Sequence, residues 1–126
     1  MKKSDQTDMR CVVRIRRYIR DLEQILEADN IKSFQDLKKS LAAKYAITQL
    51  ITNIYELSDR MQDNALKNLE EFSKLRVNLK TTRQIASHDY VSIDFKPVYE
   101  VCRQLTSESV KHELSNYIEG DTDGSN

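Results

Sequence analysis

The scarcity of helix-breaking residues constrains this chain most. Its 126 residues include two glycines and one proline. Because Gly and Pro disfavour helix interiors more than any other residues, long helices can form here without interruption. Apolar residues recur at spacings of three and four, and no segment shows the alternation typical of a strand. The pattern predicts an all-α fold, an antiparallel bundle of four to five helices forming one domain over residues 1–126.

Local capping signals predict where the first helices begin. Asp8 is a candidate N-cap for a helix that ends at about Ala28. Ser33 and Asp36 resemble a capping box, from which a second, longer helix would run to about Met61. A short charged connector over residues 63–72, itself helical, would lead to a third helix over residues 73–87.

The last third of the chain has similar signals. Asp94 is a candidate N-cap for a fourth helix, with Pro97 in its first turn. Thr106 would start a last amphipathic segment, and Gly120 would stop it. We expect residues 1–7 and 120–126 to be disordered.

The charge is balanced overall but unevenly distributed. The chain has 20 basic and 20 acidic residues, while residues 1–20 carry seven Lys or Arg against two Asp. Arg10, Arg14 and Arg17 form a basic stripe on the first predicted helix. This stripe fits a solvated helix face, or a surface that meets phosphate or an acidic partner, and both interpretations stay open.

Cysteine usage and hydropathy indicate the compartment. Cys11 and Cys102 form no Cys-x-x-Cys motif and have no neighbouring histidine, which favours a reducing compartment and argues against a zinc site. The first ten residues lack the apolar region of a signal peptide, and the longest uncharged stretch, residues 45–55, is too short and polar to span a bilayer. We therefore expect a cytoplasmic protein without membrane association, metal or cofactor.

Potential catalytic chemistry is concentrated in residues 83–90. Arg83 is followed by four residues, then His88, one residue, and Tyr90. Arginine can hold a phosphate through two parallel charged hydrogen bonds, and histidine can act as general base or acid near neutral pH. Because RNA carries its own nucleophile, the 2′-hydroxyl, such a pair could cleave RNA without a metal and leave a 2′,3′-cyclic phosphate.

Helix geometry limits how these residues can meet. Residues five apart on an α-helix point about 140° away from each other. Arg83 and His88 could act on one substrate only if the helix ends near His88 or a second subunit completes the site. Simpler interpretations also stand: His88 interacting with a helix C-terminus, Tyr90 as a packing residue, and Glu56 as a surface carboxylate.

The segment RQIASHDYVSIDFKPVYEVCRQL, residues 83–105, resembles HepT toxins of the HEPN superfamily. Their pattern is Arg, four residues, His, any residue and Tyr, followed by a small–apolar–Asp step that is Ser92-Ile93-Asp94 here. A weaker match, of Ile54-Tyr55-Glu56-Leu57 to a Gly-Glu-Ala-like segment, extends the resemblance to about residues 9–118. Two positions depart from the pattern: Tyr55 stands where Gly is frequent, and Gln84 replaces the usual Asn with a longer amide.

The resemblance implies a metal-independent endoribonuclease, the toxin of a type VII-like HEPN/MNT toxin–antitoxin module. Arg83 and His88 would be catalytic, with Glu56 orienting them and Gln84 in support. Tyr90 would be AMPylated by a cognate MNT-type nucleotidyltransferase antitoxin, and the protein would be a homodimer whose two subunits form the catalytic groove. AMP on Tyr90 would place a bulky anion beside Arg83 and His88, where it repels RNA phosphate.

Two other functions remain open at this point. Related helical bundles resemble non-catalytic substrate-binding or partner subunits of nucleotidyltransferases, in which the same Arg and His would bind a nucleotide or an acidic surface. Alternatively, the chain is a plain helical adaptor that uses the basic stripe of its first helix.

Overall fold

The prediction of an all-α fold is confirmed. The computed structural model describes residues 3–86 and 94–124, and within these ranges every regular element is a helix. Five helices have ten or more residues: α1 (Lys3–Ala28), α3 (Leu41–Asp59), α6 (Arg76–Ala86), α7 (Lys96–Leu105) and α8 (Glu108–Gly124). Three short helices of five residues join them: α2 (Phe34–Lys38), α4 (Asp63–Lys67) and α5 (Glu70–Lys74).

Side-chain pairs show that α1 and α8 run in opposite directions. Arg16 Nε donates to Ser115 Oγ at 3.3 Å, and Lys111 Nζ lies 2.7 Å from Glu23 Oε2. Moving forward along α1 therefore means moving backward along α8. The contact with Glu23 is the main reason that the pKa of Lys111 is raised, and a second contact with Glu108 adds to it.

The core lies where α1 packs on α3 and α8. Four side chains spaced at three and four along α1 are fully buried: Val12, Ile15, Ile19 and Leu22. This spacing puts them on one face of the helix, as the sequence predicts. Helices α6 and α7 contact each other, and both contact α3. The bundle is thus organised around α1 and α3.

The capping signals at Ser33 and Pro97 are confirmed. Ser33 Oγ accepts a hydrogen bond from the backbone amide of Asp36 at 3.2 Å, at the start of α2. The Asp36 carboxylate in turn accepts from the Lys32 amide at 2.9 Å, which lowers the pKa of Asp36. Pro97 lies in the first turn of α7, where its missing N–H costs nothing. The prediction of Asp94 as the N-cap is wrong by one residue: Phe95 is the N-cap, and the Asp94 carboxylate accepts from the Lys96 amide at 3.0 Å.

The prediction of one long second helix is wrong. Helix α2 ends at Lys38, and α3 begins after Ser40, whose hydroxyl accepts from the Ala43 amide at 3.2 Å. A serine side chain that bonds to the backbone competes with helix continuation, and here it starts a new helix. The break sets the direction of α3 independently of α2.

The predicted helix ends at Asp8 and Gly120 are also wrong. Helix α1 begins at Lys3, so Asp8 lies inside it, buried, and accepts a hydrogen bond from the Gln62 amide at 3.1 Å. Because Gln62 is the N-cap residue of α4, this bond joins the first turns of α1 to the start of α4. Helix α8 continues through Gly120 to Gly124. An isolated glycine costs a helix only about 1 kcal/mol. The disorder expected for residues 1–7 and 120–126 stays a prediction.

Candidate active site

Helix α6 presents Arg83 at the edge of its packed face. Leu79 and Thr82 are fully buried, and the Thr82 hydroxyl donates to the Asn78 carbonyl at 3.1 Å. The next residue, Arg83, has 54% of its side chain exposed. Buried neighbours thus hold the helix in register while the guanidinium remains accessible.

Helix α3 brings two consecutive residues to this guanidinium. Glu56 Oε1 lies 3.9 Å from Arg83 Nε, and the centroid of the Tyr55 ring lies 5.7 Å from Arg83 Cζ. Consecutive residues on a helix diverge by about 100°. The buried ring and the half-exposed carboxylate therefore contact the arginine from different sides.

A second ion pair fixes the same helix–helix contact. Arg76, at the start of α6, lies 3.5 Å from Asp59 Oδ1 and donates to Ser58 Oγ at 3.4 Å. Since Glu56 pairs with Arg83 and Asp59 pairs with Arg76, α3 and α6 run antiparallel. The buried Ser58 hydroxyl donates to the Tyr55 carbonyl at 2.7 Å, so its polar group is satisfied.

The other predicted site residues are Gln84, His88 and Tyr90. Gln84 is exposed on α6, next to Arg83. His88 and Tyr90 lie outside the described residues, so their positions relative to Arg83 stay predictions. The structure thus brings Arg83 together with Glu56, which lies 27 positions earlier in the sequence.

The charge balance of the site leaves Arg83 available to an anion. Glu56 has 49% of its side chain exposed, and half-exposed ion pairs contribute about 0–1 kcal/mol. A phosphate that accepts two hydrogen bonds from the guanidinium forms a stronger interaction than this single long contact. Arg83 can therefore exchange its carboxylate partner for a phosphate at little cost.

Other candidate features lie apart from this cluster. Among the described residues, no group of three or more His, Cys, Asp or Glu is arranged to hold a metal ion. Arg10, Arg14 and Arg17 are exposed on α1, as either interpretation of the basic stripe requires. Within residues 3–86 and 94–124, no helix has both the length and the apolar character needed to cross a membrane.

Comparison with known families identifies the chain. A sequence model of the family described as Ribonuclease HepT-like matches residues 15–118. The chain belongs to the HepT-like ribonuclease family. Membership confirms the resemblance seen in the sequence and supports ribonuclease activity, with RNA as the substrate. Neither the comparison with curated proteins nor that with solved structures gave a match.

One residue at this HepT-like site was missed by sequence reasoning. The sequence pattern marks Tyr55 only as a departure from the frequent Gly, yet its ring lies beneath Arg83. The signal that could have found it is its place on α3, at the border between the apolar face and Glu56. An aromatic residue at such a border can pack on a long side chain of the neighbouring helix.

Proposed function

We propose that this HepT-like protein is a metal-independent endoribonuclease in which Arg83 and His88 carry the chemistry. The observation that supports it most is Arg83 itself, exposed at the edge of the packed face of α6 and in contact with Glu56 and Tyr55. An arginine kept accessible and restrained on two sides is suited to hold one phosphate in a defined position. Glu56 orients the guanidinium, and Gln84 supports it from the next position on α6.

The proposed reaction uses the substrate's own nucleophile. His88 takes the proton of the 2′-hydroxyl, and the 2′-oxygen forms a bond to the adjacent phosphorus. The bond between phosphorus and the 5′-oxygen breaks, and that oxygen takes up a proton from water. Arg83 binds the non-bridging oxygens and stabilises the charge that develops on them. The products are a 2′,3′-cyclic phosphate and a free 5′-hydroxyl.

We further propose that the protein is the toxin of a type VII-like HEPN/MNT module in the cytoplasm. The cognate MNT-type nucleotidyltransferase would be its antitoxin. The Tyr90 oxygen would attack the α-phosphate of ATP, forming a tyrosine–AMP bond and releasing pyrophosphate. The added phosphate is an anion close in sequence to Arg83 and His88, where it would compete with RNA for the arginine.

The active unit is proposed to be a homodimer. Leu41 and Tyr45 are large apolar residues on α3 with 59% and 44% of their surface exposed. Tyr45 and Glu56 are 11 residues apart, which on an α-helix is about three full turns, so they share a face. A partner that covered Leu41 and Tyr45 would therefore lie along the helix face that leads to the site. A second subunit there could also supply the His88 that one straight helix directs away from its own Arg83.

Cleavage of a short RNA in the presence of a chelator tests the catalytic proposal. We expect the wild-type protein to cut, and Arg83→Ala and His88→Ala to lose cutting while keeping their helical circular dichroism. Arg103→Ala, which removes an exposed arginine on α7, is the matched control and should cut normally. An RNA with 2′-deoxyribose at the cleaved position should resist. Tight nucleotide binding by a wild-type protein that never cuts RNA would instead favour a non-catalytic partner subunit.

Intact mass spectrometry tests the toxin–antitoxin proposal. The protein is produced alone and together with its neighbouring gene. We expect a gain of whole AMP units only on co-expression, lost in Tyr90→Phe and retained in the control Tyr99→Phe. No mass gain in the co-expressed protein, or a gain that survives Tyr90→Phe, would contradict it.

A further inference from the structure

The Tyr55 ring and the Glu56 carboxylate restrain Arg83 in different ways. The ring lies 5.7 Å from Arg83 Cζ and is only 9% exposed, so the surrounding core holds it in place. The carboxylate lies 3.9 Å from Arg83 Nε and is half exposed. A buried ring is a fixed surface, whereas a half-exposed carboxylate can move and is screened by water and salt.

We propose that Tyr55 is a positioning residue for Arg83, holding the guanidinium over its ring while the arginine binds RNA phosphate. This inference rests on the proposed ribonuclease function. An arginine side chain loses considerable rotamer entropy when one conformation is selected. Because the side chain is already restrained in the free protein, the guanidinium stays aligned while charge develops on the phosphate oxygens, and that loss does not fall on the chemical step.

The Tyr55 ring can restrain the Arg83 guanidinium in the substrate complex, whereas Glu56 alone cannot. A phosphate competes with the Glu56 carboxylate for the same N–H donors of Arg83. The attraction between a cation and a ring face uses none of those donors. Tyr55 can therefore remain in contact with Arg83 while the N–H groups at the edge of the guanidinium turn to the phosphate. The ring is the restraint that survives substrate binding.

The phenolic hydroxyl is not part of this role, which makes the proposal testable by conservative substitution. Tyr55→Phe keeps a ring in the same place, and Tyr55→Leu keeps apolar volume but no ring. Steady-state cleavage of a short RNA is measured for both. We expect Tyr55→Phe to stay within about twofold of wild type and Tyr55→Leu to lose about three- to tenfold in kcat, the range of one cation–ring contact, with KM little changed.

Tyr99→Leu is the matched control for removing a packed ring. Tyr99 is partly buried on α7, and its ring lies 6.4 Å from that of Phe34, in a contact that does not include Arg83. Its kcat should be that of wild type. If Tyr99→Leu slows cleavage as much as Tyr55→Leu, or if Tyr55→Phe loses as much as Tyr55→Leu, general packing or the hydroxyl is responsible and the proposal is overturned.

A second measurement reads the position of Arg83 without cleavage. NMR relaxation of the isotope-labelled protein, in the oligomeric state in which it is isolated, gives the order parameter of the Arg83 Nε–H group. This order parameter should fall in Tyr55→Leu and stay at the wild-type value in Tyr55→Phe. An unchanged order parameter in Tyr55→Leu overturns the proposal. If wild-type protein cuts no RNA, the ribonuclease function fails on that result, and the order parameters still decide whether Tyr55 positions Arg83.

Discussion

Glu56 Oε1 on α3 lies 3.9 Å from Arg83 Nε on α6, which joins two helices across 27 positions of the sequence. The same two helices carry a second pair, Asp59 with Arg76, at 3.5 Å. The pairs have similar geometry, but only one contains an arginine of the HepT-like motif. This similarity lets a structural effect of losing a carboxylate be separated from an effect on catalysis.

Glu56→Gln should slow RNA cleavage by about tenfold while leaving stability nearly unchanged. The pair is half exposed, so its loss costs about 0–1 kcal/mol of folding free energy. Without the carboxylate, the Arg83 guanidinium is less well oriented at the reacting phosphate, where small displacements strongly reduce the rate of cleavage. The measurements are kcat on a short RNA and urea unfolding. Asp59→Asn is the control: it should match Glu56→Gln in stability and cut RNA as wild type does. Equal kcat for Glu56→Gln and wild type would remove Glu56 from the site.

Arg83→Lys should reduce cleavage by about 10- to 100-fold although it keeps the positive charge. Lysine offers a point charge and cannot form two parallel hydrogen bonds with one phosphate. The loss should appear in kcat more than in RNA affinity, which follows overall charge. Binding is measured with an RNA that carries 2′-deoxyribose at the cleaved position. Arg76→Lys is the matched control on the same helix and should keep wild-type cleavage. Full activity in Arg83→Lys would show that charge alone suffices.

Glu113→Ala should destabilise the protein by about 1–2 kcal/mol, the usual cost of losing a helix cap. Glu113 on α8 accepts hydrogen bonds from the amides of Glu71 and Phe72 at 3.0 and 2.9 Å. These amides begin α5, whose own N-cap residue makes no side-chain cap. Urea unfolding measures the loss, and Glu119→Ala, at an exposed position on α8, should stay within about 0.5 kcal/mol of wild type. Equal stability of the two variants would mean that α5 does not depend on this cap.

Cys102 should make stability fall with rising pH above about 9. Burial raises the pKa of the Cys102 thiol to about 12 from the ordinary value of 9.0. Above pH 9 the unfolded chain releases the thiol proton and the folded protein keeps it, so unfolding becomes more favourable, by up to about 1.4 kcal/mol per pH unit. The unfolding free energy is measured from pH 8 to 10.5 for wild type and for Cys102→Ala. The contribution of Cys102 is the difference between the two pH slopes. Parallel slopes would show that the thiol is accessible to water, as would rapid alkylation of Cys102 in the folded protein at pH 8.

Charge on the exposed face of α3 should disrupt the proposed homodimer. Leu41→Glu and Tyr45→Glu place a carboxylate on large apolar surfaces without affecting the core, because both residues are exposed. We expect light scattering to show a monomer, with loss of RNA cleavage if the partner completes the site. Val77→Glu, at a more exposed apolar residue on α6, is the control and should leave the mass of the assembly unchanged. A wild-type protein that is monomeric and active would refute the dimeric site.

The sequence by itself determined the helical class, the helix starts near Ser33 and Pro97, and the identity of the motif. Helix formation depends on local signals: the lack of Gly and Pro, the three–four spacing of apolar residues, and caps such as Ser33. The motif was equally readable, because its Arg, His and Tyr lie within one short segment. Arg83 is now seen to be accessible at the end of a packed helix.

Only the tertiary structure decided which distant side chains meet. The sequence linked Glu56 to the motif only through a resemblance, and did not show that Tyr55 contacts Arg83. It placed Asp8 at the start of a helix, whereas the fold buries Asp8 and gives it the Gln62 amide as partner. A local cap such as that of Ser33 is a contact between residues three apart, and periodicity and propensity describe contacts over a similar distance. Contacts between helices depend on how the helices are oriented in the bundle, which local signals do not encode, so the surroundings of Arg83 followed from packing alone.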